Sequence, residues 1–285
     1  MKKNLIFSFF LASALLFIGC SDDSNTNSET GRLSVRLTDA PFPYALVAEA
    51  NVTIFKIEAR LQSDDDEEND DSSFVVLMED EIDTNLLELT NGVTEQLANV
   101  EVPVGTYDLF RVYVRGVNVV LTDGRTFDLK VPSGEQSGIK VFIKPGLTVA
   151  GGLSSDLLLD FDVSRSFVAK GNTKRVDGIN GFNFKPVIKA SNIATSGTLA
   201  GTITTITEDV ETALEGAQIS VIVADTLNTS AFSDVDGNYM IMGLNQGTYK
   251  AIAELEGYIA SDTVEVQIVA SNKTIQNFIL EEEAN

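Results

Sequence analysis

The 285-residue sequence has no histidine, no tryptophan and one cysteine, and its 20 Lys plus Arg face 42 Asp plus Glu. Without histidine there is no Ser–His or Cys–His nucleophile pair and no imidazole ligand, which removes the usual hydrolase triads and most zinc and iron enzymes. A single cysteine forbids an internal disulfide. The net charge of −22 repels a phosphate backbone, so nucleic acid is not expected as a partner. What is present is ample apolar material, 44% of residues, and a length that suggests about two domains.

The N-terminus reads as an address. Lys2 and Lys3 precede an apolar run over 5–18, too short for a spanning helix, which needs about 20 residues. The run ends in Phe17, Ile18, Gly19 and Cys20, which resembles a bacterial lipobox, so residues 1–19 are expected to be a signal peptide and Cys20 to be acylated. Each buried methylene of an acyl chain adds about 0.8 kcal/mol, so two or three chains make membrane lipid a permanent partner. Ser21, Asp22 and Asp23 then resemble the acidic surface-export signal of Bacteroidota lipoproteins. The resemblance implies an outer-membrane lipoprotein displayed at the cell surface, with 20–30 as a polar tether.

Beyond the tether the hydrophobic pattern has period two. Leu33, Val35 and Leu37 alternate with Ser34 and Arg36, and further strands are expected over 52–61, 107–114, 117–121, 126–131, 139–143, 157–163 and 183–189. One short helix is expected over 92–98, with Asn91 as its cap. The fold class is therefore all-β, in two β-sandwich domains over 31–190 and 197–285, joined by a small polar linker at 191–196.

Particular strings carry family resemblances. LSVRLTDAP at 33–41, VTI at 52–54, KIE at 56–58, LKVPSGEQSG at 129–138, LDFD at 159–162 and FKPVI at 184–188 together resemble the family called domain of unknown function 4382. That resemblance implies an extracytoplasmic β domain often found on lipoproteins, and it brings no catalytic residues. GTLAGTI at 197–203, LEGAQISV at 214–221, SDVDGNY at 233–239, GLNQGTY at 243–249, Gly257 with Tyr258, and NFIL at 277–280 resemble a carboxypeptidase regulatory-like domain of transthyretin-like type. This resemblance implies a noncatalytic sandwich with a carbohydrate-binding-like fold. The first strand of this unit, 199–205, has no Lys, so the isopeptide crosslink of related pilin domains is not expected. Gly-Thr-Tyr occurs at 105–107 and again at 247–249, each time where a turn enters a strand.

Candidate chemistry is sparse. Arg111, Tyr113 and Arg115 share one strand face, opposite Phe110, Val112 and Val114. They offer either a platform for an anionic glycan or peptide, or cross-strand pairing with acids such as Asp160 or Asp162. The 132–138 loop, with Ser133 and Glu135, is either a polar ligand loop or a plain turn, and Ser133 has no histidine to activate it. Asp160 and Asp162 lie two apart on a strand, about 6.5–7 Å between side chains. That separation falls within the roughly 5–9.5 Å of a glycosidase pair, as does that of any exposed i, i+2 acid pair on a strand. Asp64 and Asp66, in an acidic run over 64–71, offer calcium ligands or a solvated loop tip, and Asp234 and Asp236 offer half a cation site or a hairpin turn. The expectation is no cofactor, with calcium as the one candidate. The reading is a noncatalytic surface lipoprotein that acts in binding or in cell-envelope organisation, with a glycan or an envelope protein as candidate partner; a carbohydrate-binding accessory protein is the alternative and a carboxylate glycosidase stands behind it.

Overall fold

The computed structural model describes residues 29–40, 46–62, 74–131 and 135–283, and they form two all-β domains. The first contains β1 (Thr30–Ala40), β2 (Val47–Leu61), β3 (Phe74–Met78), β4 (Ile82–Asn85), β5 (Glu95–Pro103), β6 (Gly105–Leu121), β7 (Thr126–Asp128) and β8 (Ile139–Val149). It continues with β9 (Ser154–Asp162), β10 (Phe167–Gly171), β11 (Ile179–Phe184) and β12 (Ile188–Asn192). One sheet has the order β12-β9-β1-β5, with β1 and β9 parallel. The other runs β3-β2-β6-β7, with β4 also on β2 and β8 also on β6. Leu33, Val35 and Leu37 from the first sheet and Ile54, Ile57, Phe110, Val112 and Val114 from the second meet in one core. The alternation that makes a strand amphipathic is thus spent on facing sheets.

The expected strands 107–114 and 117–121 are one strand, β6, with a change of face at Gly116. Even-numbered residues from Phe110 to Val114 are buried before it, and Val117, Val119 and Leu121 after it. Gly116 has φ 59° and the pairing with β2 slips there, so one extra residue turns the next side chains inward.

Two other expectations are corrected. Residues 92–98 are not helical, because Glu95–Pro103 pairs antiparallel with β1 and long-range pairing overrides the i, i+4 spacing of Val93 and Leu97. The strand expected over 183–189 breaks at Pro186, which has no N–H to donate, so β11 stops at Phe184 and β12 begins at Ile188. In the gap Lys185 N donates to Ser166 O, and Val187 N to Ser166 Oγ at 2.9 Å.

The second domain contains β13 (Ser196–Thr207), β14 (Val210–Ala213), β15 (Gln218–Val223), β16 (Thr226–Phe232), β17 (Asn238–Asn245), β18 (Gly247–Glu254), β19 (Tyr258–Ile259), β20 (Val264–Ile268), β21 (Lys273–Ile275), β22 (Phe278–Ile279) and β23 (Glu281–Glu282). The sheet β14-β13-β17, extended by β21 and β22 on β13, packs on the sheet β16-β15-β18-β20. Leu199, Ile203, Ile219, Val221, Tyr239, Ile241, Ala251 and Ile268 fill the space between them.

The repeated Gly-Thr-Tyr has the same job in both domains. Tyr107 Oη donates to Pro103 O at 2.8 Å and Tyr249 Oη to Asn245 O at 2.9 Å, each reaching four residues back across the corner. Gly105 and Gly247 hold φ of 145° and 157°, which lets the chain turn tightly enough for that reach. Such tyrosine corners pin a sandwich where one strand passes to the next.

Only residues 193–195 lie between β12 and β13, so the expected linker at 191–196 is partly strand. The domains also grip each other. Asn91 Oδ1 accepts from Met240 N at 3.2 Å, and Lys189 Nζ donates to Asn228 O. Beside it Gly92 turns the chain at φ 85°, a conformation that favours glycine, and lies against the Met240 side chain.

Candidate functional site

Lys56 and Glu58 on β2 lie opposite Tyr113 and Arg111 on β6. Their side chains share the outer face of the larger sheet, and Glu58 is their hub. Its side chain is only 7% exposed, yet it receives Tyr113 Oη at 2.6 Å, Arg111 Nη1 at 3.1 Å and Lys56 Nζ at 2.9 Å. Burial pushes the Glu58 carboxyl up, but the hydrogen bonds from Tyr113, Lys56 and Arg111 outweigh it and hold the group below its ordinary pKa. In return, the bond to Glu58 raises Lys56, and burial together with the same bond raises Tyr113.

Aromatic rings lie between the cations. The Arg111 guanidinium sits 3.8 Å from the centroid of Phe74 and that of Arg115 5.1 Å from Phe55, while Phe55 and Tyr113 are 6.0 Å apart. Next to Arg111 and Tyr113 opens a depression of about 440 Å³, lined by Glu58, Phe74, Lys140 and the loop residues Gln136 and Ser137. The loop packs close because Gly138, at φ 67°, presents no Cβ to the Tyr113 ring; one would lie 3.1 Å from Cε2. In the lining Arg111 and Lys140 outnumber the one carboxylate, Glu58, so the recess carries positive charge on a chain of net charge −22. It is shaped to take an anionic group against aromatic edges.

The structure thus brings Arg111 and Tyr113 together, with Arg115 further along the same face, paired to Glu81. The expected pairing of these arginines with Asp160 or Asp162 is corrected, because those acids belong to the other sheet. Glu135 is exposed and lies outside the lining, where its neighbours Gln136 and Ser137 stand instead. Ser133, Cys20, Ser21, Asp22, Asp23, Asp64 and Asp66 fall outside the described residues.

Asp160 and Asp162 do not form an exposed pair. Their strand lies inside its sheet, and Leu157, Leu158, Leu159 and Phe161 are all fully buried, so neither face is open along its length. Asp162 is itself buried and caps the single helical turn Val163–Ser166, accepting from Arg165 N at 3.0 Å and Ser164 Oγ at 2.8 Å. Asp160 stands opposite Lys189 on β12. Beside them, Asp39 is 6% exposed; one oxygen accepts Val163 N at 3.1 Å and the other has no hydrogen-bond partner among the described residues. Burial, with Asp160 and Asp162 adding to it, raises the Asp39 pKa well above its ordinary value.

Asp234 is a turn residue. Its Oδ1 accepts from Asp236 N at 3.0 Å and Asn238 N at 2.8 Å, which makes the side-chain-stabilised turn ahead of β17 that is one of the two readings of Asp234 and Asp236. Among the described residues no three His, Cys, Asp or Glu side chains are grouped to hold a metal, and no helix is long and apolar enough to cross a membrane.

Sequence reasoning missed Glu58 and Asp39. Glu58, between Ile57 and Ala59 on β2, gave one usable signal: an acid flanked by apolar neighbours and placed to pair across a sheet with a strand bearing two arginines.

These features define a two-domain, all-β protein with a cationic, aromatic-edged recess on its first domain. Residues 30–186 match the family model described as Domain of unknown function (DUF4382), and the chain belongs to that family. Residues 198–281 match the Carboxypeptidase regulatory-like domain, in the order expected from the sequence. No curated protein matches the chain. Among solved structures, the minor pilin GBS52 of Streptococcus agalactiae aligns at 12% identity over 88% of this chain and 97% of that one, with a TM-score of 0.27. The shaft pilin SpaA of Lactobacillus rhamnosus GG aligns at 12% identity over 90% and 99%, with a TM-score of 0.26. A leucine-rich repeat protein of Bacteroides thetaiotaomicron aligns at 12% identity over 90% and 26%, with a TM-score of 0.22.

Proposed function

We propose that this chain is a noncatalytic binding protein of the cell surface, and that the recess at Arg111, Tyr113 and Lys140 receives an anionic group of a glycan or envelope protein. The observation that carries this reading is a recess of about 440 Å³ with an excess of cations on a strongly acidic chain. The surrounding negative field disfavours stray anions, so an anion that binds must be matched to the recess itself. The two carboxylates with glycosidase-like spacing have other employment, Asp162 as a helix cap and Asp160 opposite Lys189. The lipobox-like end at Cys20 and the acids Asp22 and Asp23 support anchoring in the outer membrane by acyl chains, with the two domains facing outward.

Two experiments test the reading. The full chain in detergent is applied to an array of host and microbial polysaccharides; binding to acidic polymers that falls on Arg111→Ala or Lys140→Ala supports it. Equal binding by wild type and both variants removes the recess as the site. Protease shaving of intact cells tests the location: a protein that stays whole until the cells are lysed is not displayed at the surface.

A further inference from the structure

A second recess of about 370 Å³ lies where the domains meet. That volume is within the roughly 300–1,000 Å³ of small-molecule sites, which favour domain boundaries. Phe142 stands at it on the outward face of β8, where Val141 and Ile143 point into the core, and 55% of Phe142 is exposed. The rest of the lining mixes apolar side chains, among them Ile188, Met242 and Leu244, with polar groups of both hydrogen-bonding senses. Asp160 accepts, Lys144 and Lys189 donate, and Ser191 and Asn245 do either. Lys189 is held at the boundary by its bond to Asn228 O, and burial lowers its pKa while Asp160 opposes that shift. The back wall approaches closely at Gly243, where a Cβ would lie 2.6 Å from Ser191 Oγ.

An exposed ring beside a polar groove suits a ligand with an apolar face and a hydroxylated rim, which is the chemistry of a pyranose. Two lysines against one aspartate leave one positive charge for a carboxylate. We infer that the groove between the domains binds an acidic sugar unit, with Phe142 stacking on the ring and Lys144 and Lys189 meeting its carboxylate. This site is separate from the recess at Arg111 and draws on both domains, so its occupant would hold them together.

Calorimetric titration of the full chain in detergent with trigalacturonate, and with neutral maltotriose for comparison, tests the assignment. Saturable binding of trigalacturonate is expected, about threefold or more tighter than maltotriose. Phe142→Ala should weaken it about tenfold, and Lys144→Ala should erase the preference over maltotriose. Both side chains are exposed, so the thermal midpoints of these variants should match the wild type. Arg175→Ala, at an exposed arginine that lines neither recess, should bind trigalacturonate unchanged. No binding of trigalacturonate, undiminished binding by Phe142→Ala, or loss of binding in Arg175→Ala would each overturn the assignment.

Discussion

The two domains both bury polar side chains, but of different kinds. Among the described residues the first buries three carboxylates, Asp39, Glu58 and Asp162, whereas the second buries hydroxyls alone, at Ser196, Thr205, Ser220, Thr229, Ser230 and Ser233. A hydroxyl carries its own donor and acceptor and needs little from its surroundings. A carboxylate must be supplied with donors, and the first domain supplies them unevenly: three to Glu58, and to Asp39 one backbone N–H with one oxygen left bare. The difference places the response to acid in the first domain, while the buried phenols of the second, Tyr239 and Tyr249, are raised by burial and answer to alkali.

The comparison breaks most readily at Glu58. Glu58→Ala leaves Arg111, Lys56 and Tyr113 around a vacancy and should cost the first domain about 3 kcal/mol. Two-wavelength or calorimetric unfolding should show only the first domain's transition moving. The same group sets an acid limit. Its folded pKa lies below its ordinary 4.5, so its stabilisation is complete above that value and is lost as pH falls through the folded pKa. The stability difference between wild type and Glu58→Ala should therefore shrink as pH falls below 4.5.

Asp39 should act with the opposite sign. Its folded pKa is raised, so stability is fullest below the ordinary value of 3.8 and declines as pH climbs toward the folded pKa. Asp39→Asn keeps an acceptor for Val163 N and removes the charge, so it should stabilise the first domain at neutral pH by about 1–2 kcal/mol. A denaturant midpoint unchanged between Asp39→Asn and wild type at pH 7 would contradict the account of a bare buried oxygen.

Smaller effects probe what the domains share. Tyr107→Phe and Tyr249→Phe each remove one corner hydrogen bond and should each cost about 1 kcal/mol in their own domain. Unequal losses would mean that the repeated tripeptide does different work in the two places. Burial raises the Tyr107 pKa to about 12, so ultraviolet titration should find its phenol intact well into alkali. The smallest effect belongs to Asp234→Ala, which frays one turn of the second domain and should cost under about 1 kcal/mol.

Much of the architecture was legible because strands declare themselves by alternation. Leu33, Val35 and Leu37 are buried as their spacing demanded, and both domains were legible from their strings. Boundaries were less so, since β6 changes face at one glycine and β5 forms only by pairing with distant β1. In the recess, Arg111 and Tyr113 were visible as a pair on one face, but their partner Glu58 was not, because a single acid in a strand reads as solvent-facing until register is known. Asp160 and Asp162 misled for the complementary reason. Spacing along one strand says nothing about what covers it, and β9 is flanked by β1 and β12.

The joint between the domains has a mechanical consequence. Only three residues connect β12 to β13, while Asn91, well back in the first domain, clasps the main chain of β17. The second domain is therefore braced at two points set apart in the chain, and a single connecting turn cannot act as a swivel. A tug on the second domain would arrive as torque on the strands of the first.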